Sequence, residues 1–319
     1  MAASSCAAAA ASCSSAKAQD EGQRQIPEHV LQCDPDGLTS MLGGWTSHVE
    51  ELASRFAASG PVPHVLIDNF FAEPLARALS DEFPPAESPI WHVYHNPLEK
   101  KRACSDMQAI PDSLREAVCA LCGPAVVEAV RRITGLETID SLQADPFCHG
   151  GGLHSHGRDD KLDLHLDYSI HPMSGLERRF NLIVYLPKEA WREEYGGALE
   201  LWSAGAAEPA TPSTRVASVL PVFNRALLFS TTAPSFHGFP TPIACPEHVR
   251  RESIALYYLT PPRPGAPPRS KALYVAAPGD LPDTNLDRLR MLRSQRRLEP
   301  SDLEAQEQQD QNRLRAHVR

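Results

Sequence analysis

The stretch Leu164-His165-Leu166-Asp167-Tyr168 decides how this chain is read. On an extended strand side chains alternate between faces, so His165 and Asp167 project together. Leu162, Leu164 and Leu166 project the other way, into a core. An imidazole and a carboxylate two residues apart on a rigid strand can bind one metal ion. A second imidazole follows in Ser235-Phe-His237-Gly-Phe-Pro240, an apolar setting shortly after the run Ala226–Phe229. Asp163 shares the alternation of His165 and Asp167 and is a weaker candidate, because the expected order is histidine, then carboxylate.

Two imidazoles and one carboxylate cover one face of an octahedral ion and leave its other positions open, which is the ligand set of non-haem Fe(II) sites. Fourteen residues after His237 comes Arg251-Glu252-Ser253, opening the run Ser253–Thr260. By alternation Arg251, Ser253, Ala255 and Tyr257 share one face. An arginine with a hydroxyl two residues on can hold a carboxylate by a two-pronged contact plus one hydrogen bond. Arg250 offers the same chemistry one residue out of register. In Phe180–Leu186, Asn181, Ile183 and Tyr185 face inward, opposite Phe180, Leu182, Val184 and Leu186, so Tyr185 can give its hydroxyl to the same carboxylate. His154 and His156 have strand-like spacing and follow a glycine run; they are read as loop histidines at a cavity mouth, with substrate contact or proton handling as the alternative.

Working outward, the texture from Ala144 onward is of short apolar runs separated by turns: Lys161–Ile170, Phe180–Leu186, Leu199–Trp202, Arg215–Leu220, Ala226–Phe229, Phe236–Ile243 and Ser253–Thr260. Runs at this spacing predict a jelly roll of two antiparallel sheets rather than βαβ units. Before them, helical periodicity predicts helices over Asp34–Ala58, Glu73–Phe83 and Ser113–Ile133, with strands at His64–Asp68 and Trp91–Tyr94. Helices first and strands after give an α+β protein whose N-terminal helices buttress one sheet. The expected divisions are a disordered tail over 1–26, a domain over 27–268 with its jelly-roll core at about 144–262, and a C-terminal extension over 269–319. That extension, with a helix around Leu286–Arg297, is assigned no chemistry.

With 319 residues, 42% of them apolar, the chain can bury a large core. Its net charge of −9 offers no basic surface to a phosphate backbone, which argues against nucleic-acid binding. No apolar run approaches the ~18–20 residues of a membrane span. The eight cysteines are sparse and irregular, as expected of thiols in a reducing compartment. Cys119-Ala-Leu-Cys122 has redox spacing but falls inside a predicted helix. A cytoplasmic location is expected; a transit peptide is the alternative reading of the Ala/Ser-rich start.

The chain resembles the iron(II)- and 2-oxoglutarate-dependent dioxygenases, in their prolyl-hydroxylase-like branch. The resemblance spans roughly His64 to Pro262 and rests on His165-x-Asp167, His237 and Arg251-x-Ser253. Gly150-Gly-Gly-Leu-His154, Arg179-Phe-Asn-Leu-Ile-Val-Tyr-Leu186 and Glu194-Tyr-Gly-Gly-Ala-Leu-Glu-Leu-Trp202 surround those motifs. It implies a double-stranded β-helix core, with His165, Asp167 and His237 holding Fe(II). It also implies that Arg251, Tyr185 and Ser253 receive the distal carboxylate of 2-oxoglutarate. The implied reaction uses O2, with ascorbate as a supporting reductant, and couples decarboxylation of 2-oxoglutarate to succinate and CO2 with hydroxylation of a prolyl residue or a small molecule. Asp167 stands where halogenating relatives carry a small residue, which favours hydroxylation. The alternative is a non-catalytic metal-binding jelly-roll module used for ligand sensing or scaffolding. Such a module has no need of an inward arginine. The loops expected to select the substrate are Trp91–Arg102 and His154–Lys161.

Overall fold

The computed structural model describes residues 41–136, 142–206, 211–232 and 234–304. The expected tail over 1–26 and the end of the chain after residue 304 lie outside them. Along the chain, α1 is Val49–Ala58, β1 His64–Ile67, α2 Glu73–Asp81, β2 His92–Asn96 and β3 Glu99–Cys104. Two helices follow, α3 (Asp112–Leu121) and α4 (Pro124–Thr134), then β4 (Gln143–Ala144), β5 (Gly152–His156), β6 (Lys161–Leu166) and β7 (Glu177–Tyr185). The second half is β8 (Leu199–Ala204), β9 (Pro212–Val219), β10 (Arg225–Ser230), β11 (Phe236–Phe239), β12 (Arg251–Thr260), β13 (Leu273–Tyr274) and α5 (Thr284–Gln295).

The strands form one curled antiparallel sheet in the order β1-β10-β7-β12-β5-β3-β6-β11-β8-β9, the jelly roll of a double-stranded β-helix. All seven expected strand runs are present. Strand β3 joins the two layers: Arg102–Cys104 pair with β5, and Glu99–Lys100 pair with β6. The outer face of β7 and β12 carries Leu182, Val184, Ile254, Leu256 and Tyr258, which pack in one core with Leu79, Leu114, Val118, Val126 and Val130 of the helices. The Tyr258 hydroxyl donates to the carbonyl of Leu121 at the end of α3 (3.0 Å), and Ser80 of α2 donates to that of Leu186 (3.0 Å). The inner face carries Ile183, Tyr185 and Ala255, which pack with Leu227 and Phe229 of the neighbouring β10 and with Leu199, Leu201 and Phe239 of the opposite layer.

Several expectations are corrected. The helix expected over Ser113–Ile133 is two helices, because Gly123 leaves helical geometry and Pro124, lacking an N–H, starts the next one. Within the described residues the helix expected over Asp34–Ala58 is interrupted: Leu42 bridges to Phe71, and a 3-10 turn at Gly44–His48 leads into α1; residues 34–40 of that expectation lie outside the described residues. The presumed loop Trp91–Arg102 is largely the β2–β3 hairpin, paired from His92↔Ala103 to Asn96↔Glu99. His154 and His156 lie on strand β5 rather than in a loop. As expected, no disulfide joins Cys119 and Cys122. Among the described residues no helix is long and apolar enough to cross a membrane.

Residues 269–304 of the C-terminal segment are part of the packed body. Strand β13 pairs with β6 in the register Tyr274↔His165, and α5 packs Leu289 against Leu98 and Tyr274. Asp283 caps α5 by accepting from the backbone N–H of Asn285 and Leu286.

Candidate metal centre and active site

Strand pairing does most of the positioning. His165 of β6 and His237 of β11 sit directly opposite each other, with ring centroids 4.3 Å apart. The sharp approach of these strands requires Gly238, where a Cβ would meet the carbonyl oxygens of Leu162 and Asp163 at 2.7 Å. Asp167 lies just beyond the end of β6. Its Oδ1 is 3.7 Å from His165 Nε2 and its Oδ2 3.6 Å from His237 Nε2. Atoms bonded to one ion at about 2.0–2.2 Å lie at most about 4.4 Å apart, so either pair can share an ion.

Both imidazoles are oriented alike. His165 Nδ1 meets the carbonyl of Asp163 (3.0 Å) and His237 Nδ1 that of Ser235 (3.2 Å). With Nδ1–H donating to a carbonyl, Nε2 keeps its lone pair toward the cavity. Burial, then the nearby His165, pushes the His237 imidazole down to about 4, so it is neutral at ordinary pH. Burial alone would raise the Asp167 carboxyl, but His237, His165 and Arg178 hold it well below the usual carboxylate range. Oδ2 of Asp167 is buried with no hydrogen-bond partner among the described residues. A buried ionised oxygen facing two imidazole nitrogens is a donor set suited to a divalent cation such as Fe(II). Asp163 is not part of it: its carboxylate turns to Lys161 (2.7 Å) and Arg290 (3.5 Å).

The three residues open into a cavity of about 490 Å³ that is also lined by Arg251, Ser253, Tyr257, Asn181 and Ile183. Arg251 is 3% exposed. Its Nε donates to the carbonyl of Gly197 (2.9 Å) and an Nη to the hydroxyl of Tyr185 (3.3 Å). Burial lowers its pKa, and among the described residues no carboxylate lies within salt-bridge distance of it. A buried cation with no anion is costly, and the site therefore suits an anionic ligand. Tyr185 accepts from Arg251 and keeps its own proton to donate. Ser253 is buried in the cavity wall two residues on. Arg250 turns away, donating to Ser155 (3.1 Å), so the inward register falls on Arg251.

Some site residues escaped sequence reasoning. Arg178 should face the helices by alternation with Phe180. The pairing of β7 with β12 shifts, however, between Tyr258↔Phe180 and Leu259↔Arg178. The extra residue, Arg179, flips Arg178 inward. Its guanidinium stacks on Tyr168 (3.3 Å to the ring centre) and Tyr257 (3.5 Å), and lies 3.9 Å from Asp167 Oδ1. It also donates to the Tyr168 hydroxyl and the His149 carbonyl. The other wall comes from Tyr274 of β13, whose ring stacks on His165 (5.1 Å), and from Arg269, which donates to the Asp167 carbonyl (2.8 Å). A two-residue strand such as β13 carries no periodicity by which to find it.

Residues 151–259, which hold the His–Asp–His set and Arg251, match the family described as the 2OG-Fe(II) oxygenase superfamily. No curated protein matches the chain. Among solved structures the chain is similar to a prolyl-4-hydroxylase from Pseudomonas putida, at 16% identity and a TM-score of 0.43, over 67% of this chain and 100% of that one. It is also similar to a prolyl hydroxylase from Trichoplax adhaerens, solved with a peptide of the hypoxia inducible factor oxygen degradation domain. There the identity is 17% and the TM-score 0.44, over 68% and 94% of the two chains. A viral collagen prolyl hydroxylase from Paramecium Bursaria Chlorella virus-1 is similar at 12% identity and a TM-score of 0.37, over 62% and 96%. The family match over residues 151–259 falls on the jelly roll and on the metal-ready triad, so this part of the chain is similar to the 2OG-Fe(II) oxygenase superfamily, dioxygenases that work with Fe(II) and 2-oxoglutarate.

Proposed function

We propose that the protein hydroxylates its substrate in the manner of the prolyl-hydroxylase-like branch, with His165, Asp167 and His237 holding Fe(II). Bound iron supplies the activation of O2, driven by conversion of 2-oxoglutarate to succinate and CO2, with ascorbate as supporting reductant. Arg251 receives the distal carboxylate of 2-oxoglutarate through its remaining N–H groups, and Tyr185 donates its hydroxyl proton to the same carboxylate. Ser253 completes that end of the cavity. Arg178 keeps Asp167 ionised and fixed in orientation, and Tyr168 and Tyr257 hold Arg178 in place. The apolar inner residues Ile183, Leu199 and Phe239 exclude bulk water from the reacting centre.

The observation that carries this reading is Arg251: a buried guanidinium without an anion, in the same cavity as the triad. A barrel that merely held metal would have no use for it. The test is 2-oxoglutarate added to protein loaded with redox-inert Zn(II), followed by a succinate-release assay with Fe(II), ascorbate and panels of peptides and metabolites. A rise in melting temperature that is lost in Arg251→Ala, and substrate-dependent succinate release, are expected. Absence of both would leave a metal-binding module as the better reading.

A further inference from the structure

One wall of the cavity has a charge character of its own. It is built by the β2–β3 hairpin and by the C-terminal segment, which bring Lys101, Lys271, Arg293 and Arg297 to the lining. Two carboxylates oppose these four cations. Asp106 is exposed on the rim and accepts from the N–H of Gln108 (2.9 Å). Glu99 is fully buried behind the wall and serves three partners: Lys101 (3.0 Å), Arg293 (2.9 Å) and the Tyr274 hydroxyl (2.8 Å). One buried negative charge thus fixes two cations and leaves one positive charge over. In a chain of net charge −9, a local positive excess at a cavity mouth runs against the composition.

The geometry leaves those cations donors to spare. Glu99 engages Arg293 through Nε alone, so both terminal nitrogens of the guanidinium have no hydrogen-bond partner among the described residues. The ammonium of Lys101 has three donors, of which Glu99 takes one. It lies over the Tyr94 ring (4.8 Å) and close enough to His237 to disfavour protonation of that imidazole. Glu99 connects to the metal centre through a single residue: its partner Tyr274 stacks directly on His165.

We propose that this mouth binds an anionic group, a carboxylate or a phosphate, carried by the substrate, with Arg293 and Lys101 as its partners. The proposal rests on the dioxygenase reading and extends it to substrate class. Arg251 takes the anion of the co-substrate. Arg293 and Lys101, on the wall built by β3 and α5, take the anion of the substrate. Glu99 acts as the internal strut that holds both cations in the wall while no substrate is bound.

The test is calorimetric titration of full-length protein, loaded with Zn(II) and saturated with 2-oxoglutarate, with phenyl phosphate, phenylacetate and the neutral phenylacetamide. At least one anion binds and the amide does not; the tighter anion identifies phosphate or carboxylate as the natural group. Arg293→Gln and Lys101→Gln each weaken that binding about tenfold to hundredfold, whereas Arg293→Lys retains most of it. Anion binding no tighter than the amide's, or undiminished in both Gln variants, overturns the proposal. The same titrations on metal-free protein without 2-oxoglutarate separate the two claims. If 2-oxoglutarate fails to bind while the anion series still depends on Arg293, the co-substrate assignment falls and the mouth site stands.

Discussion

The Arg178 guanidinium lies 3.9 Å from the Asp167 carboxylate, clamped between the rings of Tyr168 and Tyr257. It does not belong to the metal-binding set, yet among the described residues it is the arginine within 4 Å of the Asp167 carboxylate. Replacing Arg178 with Met keeps a long side chain between the rings and removes the charge. Metal affinity should fall about 10- to 100-fold, the usual loss when an outer partner of a ligand is removed. A competition titration against a coloured chelator measures it; unchanged affinity would make Arg178 a packing residue only.

Asp167→Ala should abolish turnover and weaken metal binding further than Arg178→Met does. Asp163→Ala should leave the metal affinity close to that of the parent protein, since its carboxylate points to Lys161 and Arg290. The reverse order of effects would move the carboxylate ligand to position 163.

Arg251→Ala should leave metal affinity nearly intact and raise the 2-oxoglutarate concentration for half-maximal turnover. The expected loss is about 2–5 kcal/mol, or roughly 30-fold to several thousand-fold. Arg251→Lys should recover part of it, because an ammonium lacks the two-pronged geometry. Arg250→Ala, on the opposite face, should leave 2-oxoglutarate dependence unchanged. Steady-state kinetics at varied 2-oxoglutarate decide the matter.

The metal-free protein should lose stability as pH falls from about 6.5 to about 4. Burial, reinforced by Lys101 and Arg251, pushes His154 down to about 3; burial, reinforced by Arg251, pushes the enclosed His156 well below the usual imidazole range. In that window the unfolded chain binds protons that the folded chain refuses, so unfolding is favoured as pH drops. Asp167, whose carboxyl is depressed, adds its own loss only at still lower pH. Urea unfolding at pH 7 and 4.5 in the presence of a chelator should differ by at least about 1 kcal/mol. His154→Gln should narrow that gap; an unaltered gap would exclude His154 as a contributor.

Alternation made the inner faces of β7 and β12 legible from sequence, and with them Tyr185, Arg251 and Ser253. The triad was legible because His165 and Asp167 are local and His237 stands in an apolar run. What stayed hidden depends on events that leave no local mark. The single extra residue at Arg179 reverses the face of Arg178. Glu99-Lys-Lys-Arg102 reads as a polar loop, yet it is a strand whose buried Glu99 is met by Arg293 of α5, nearly two hundred residues away. The Gly123-Pro124 break, by contrast, is a stop signal present in the sequence, and a stricter reading would have divided the helix there.

The pairing of Tyr274 with His165 also bears on how the molecule is made. The triad and Arg251 are all synthesised before Leu273-Tyr274 arrives, so both sheets can close while one end of β6 still lacks a neighbour. Until β13 docks, the backbone at His165 and Leu166 is an open edge beside a metal-binding imidazole, a template for another chain's strand. A form ending at Pro268 should therefore self-associate, with light scattering rising with its concentration. In the whole protein the last strand seals that edge.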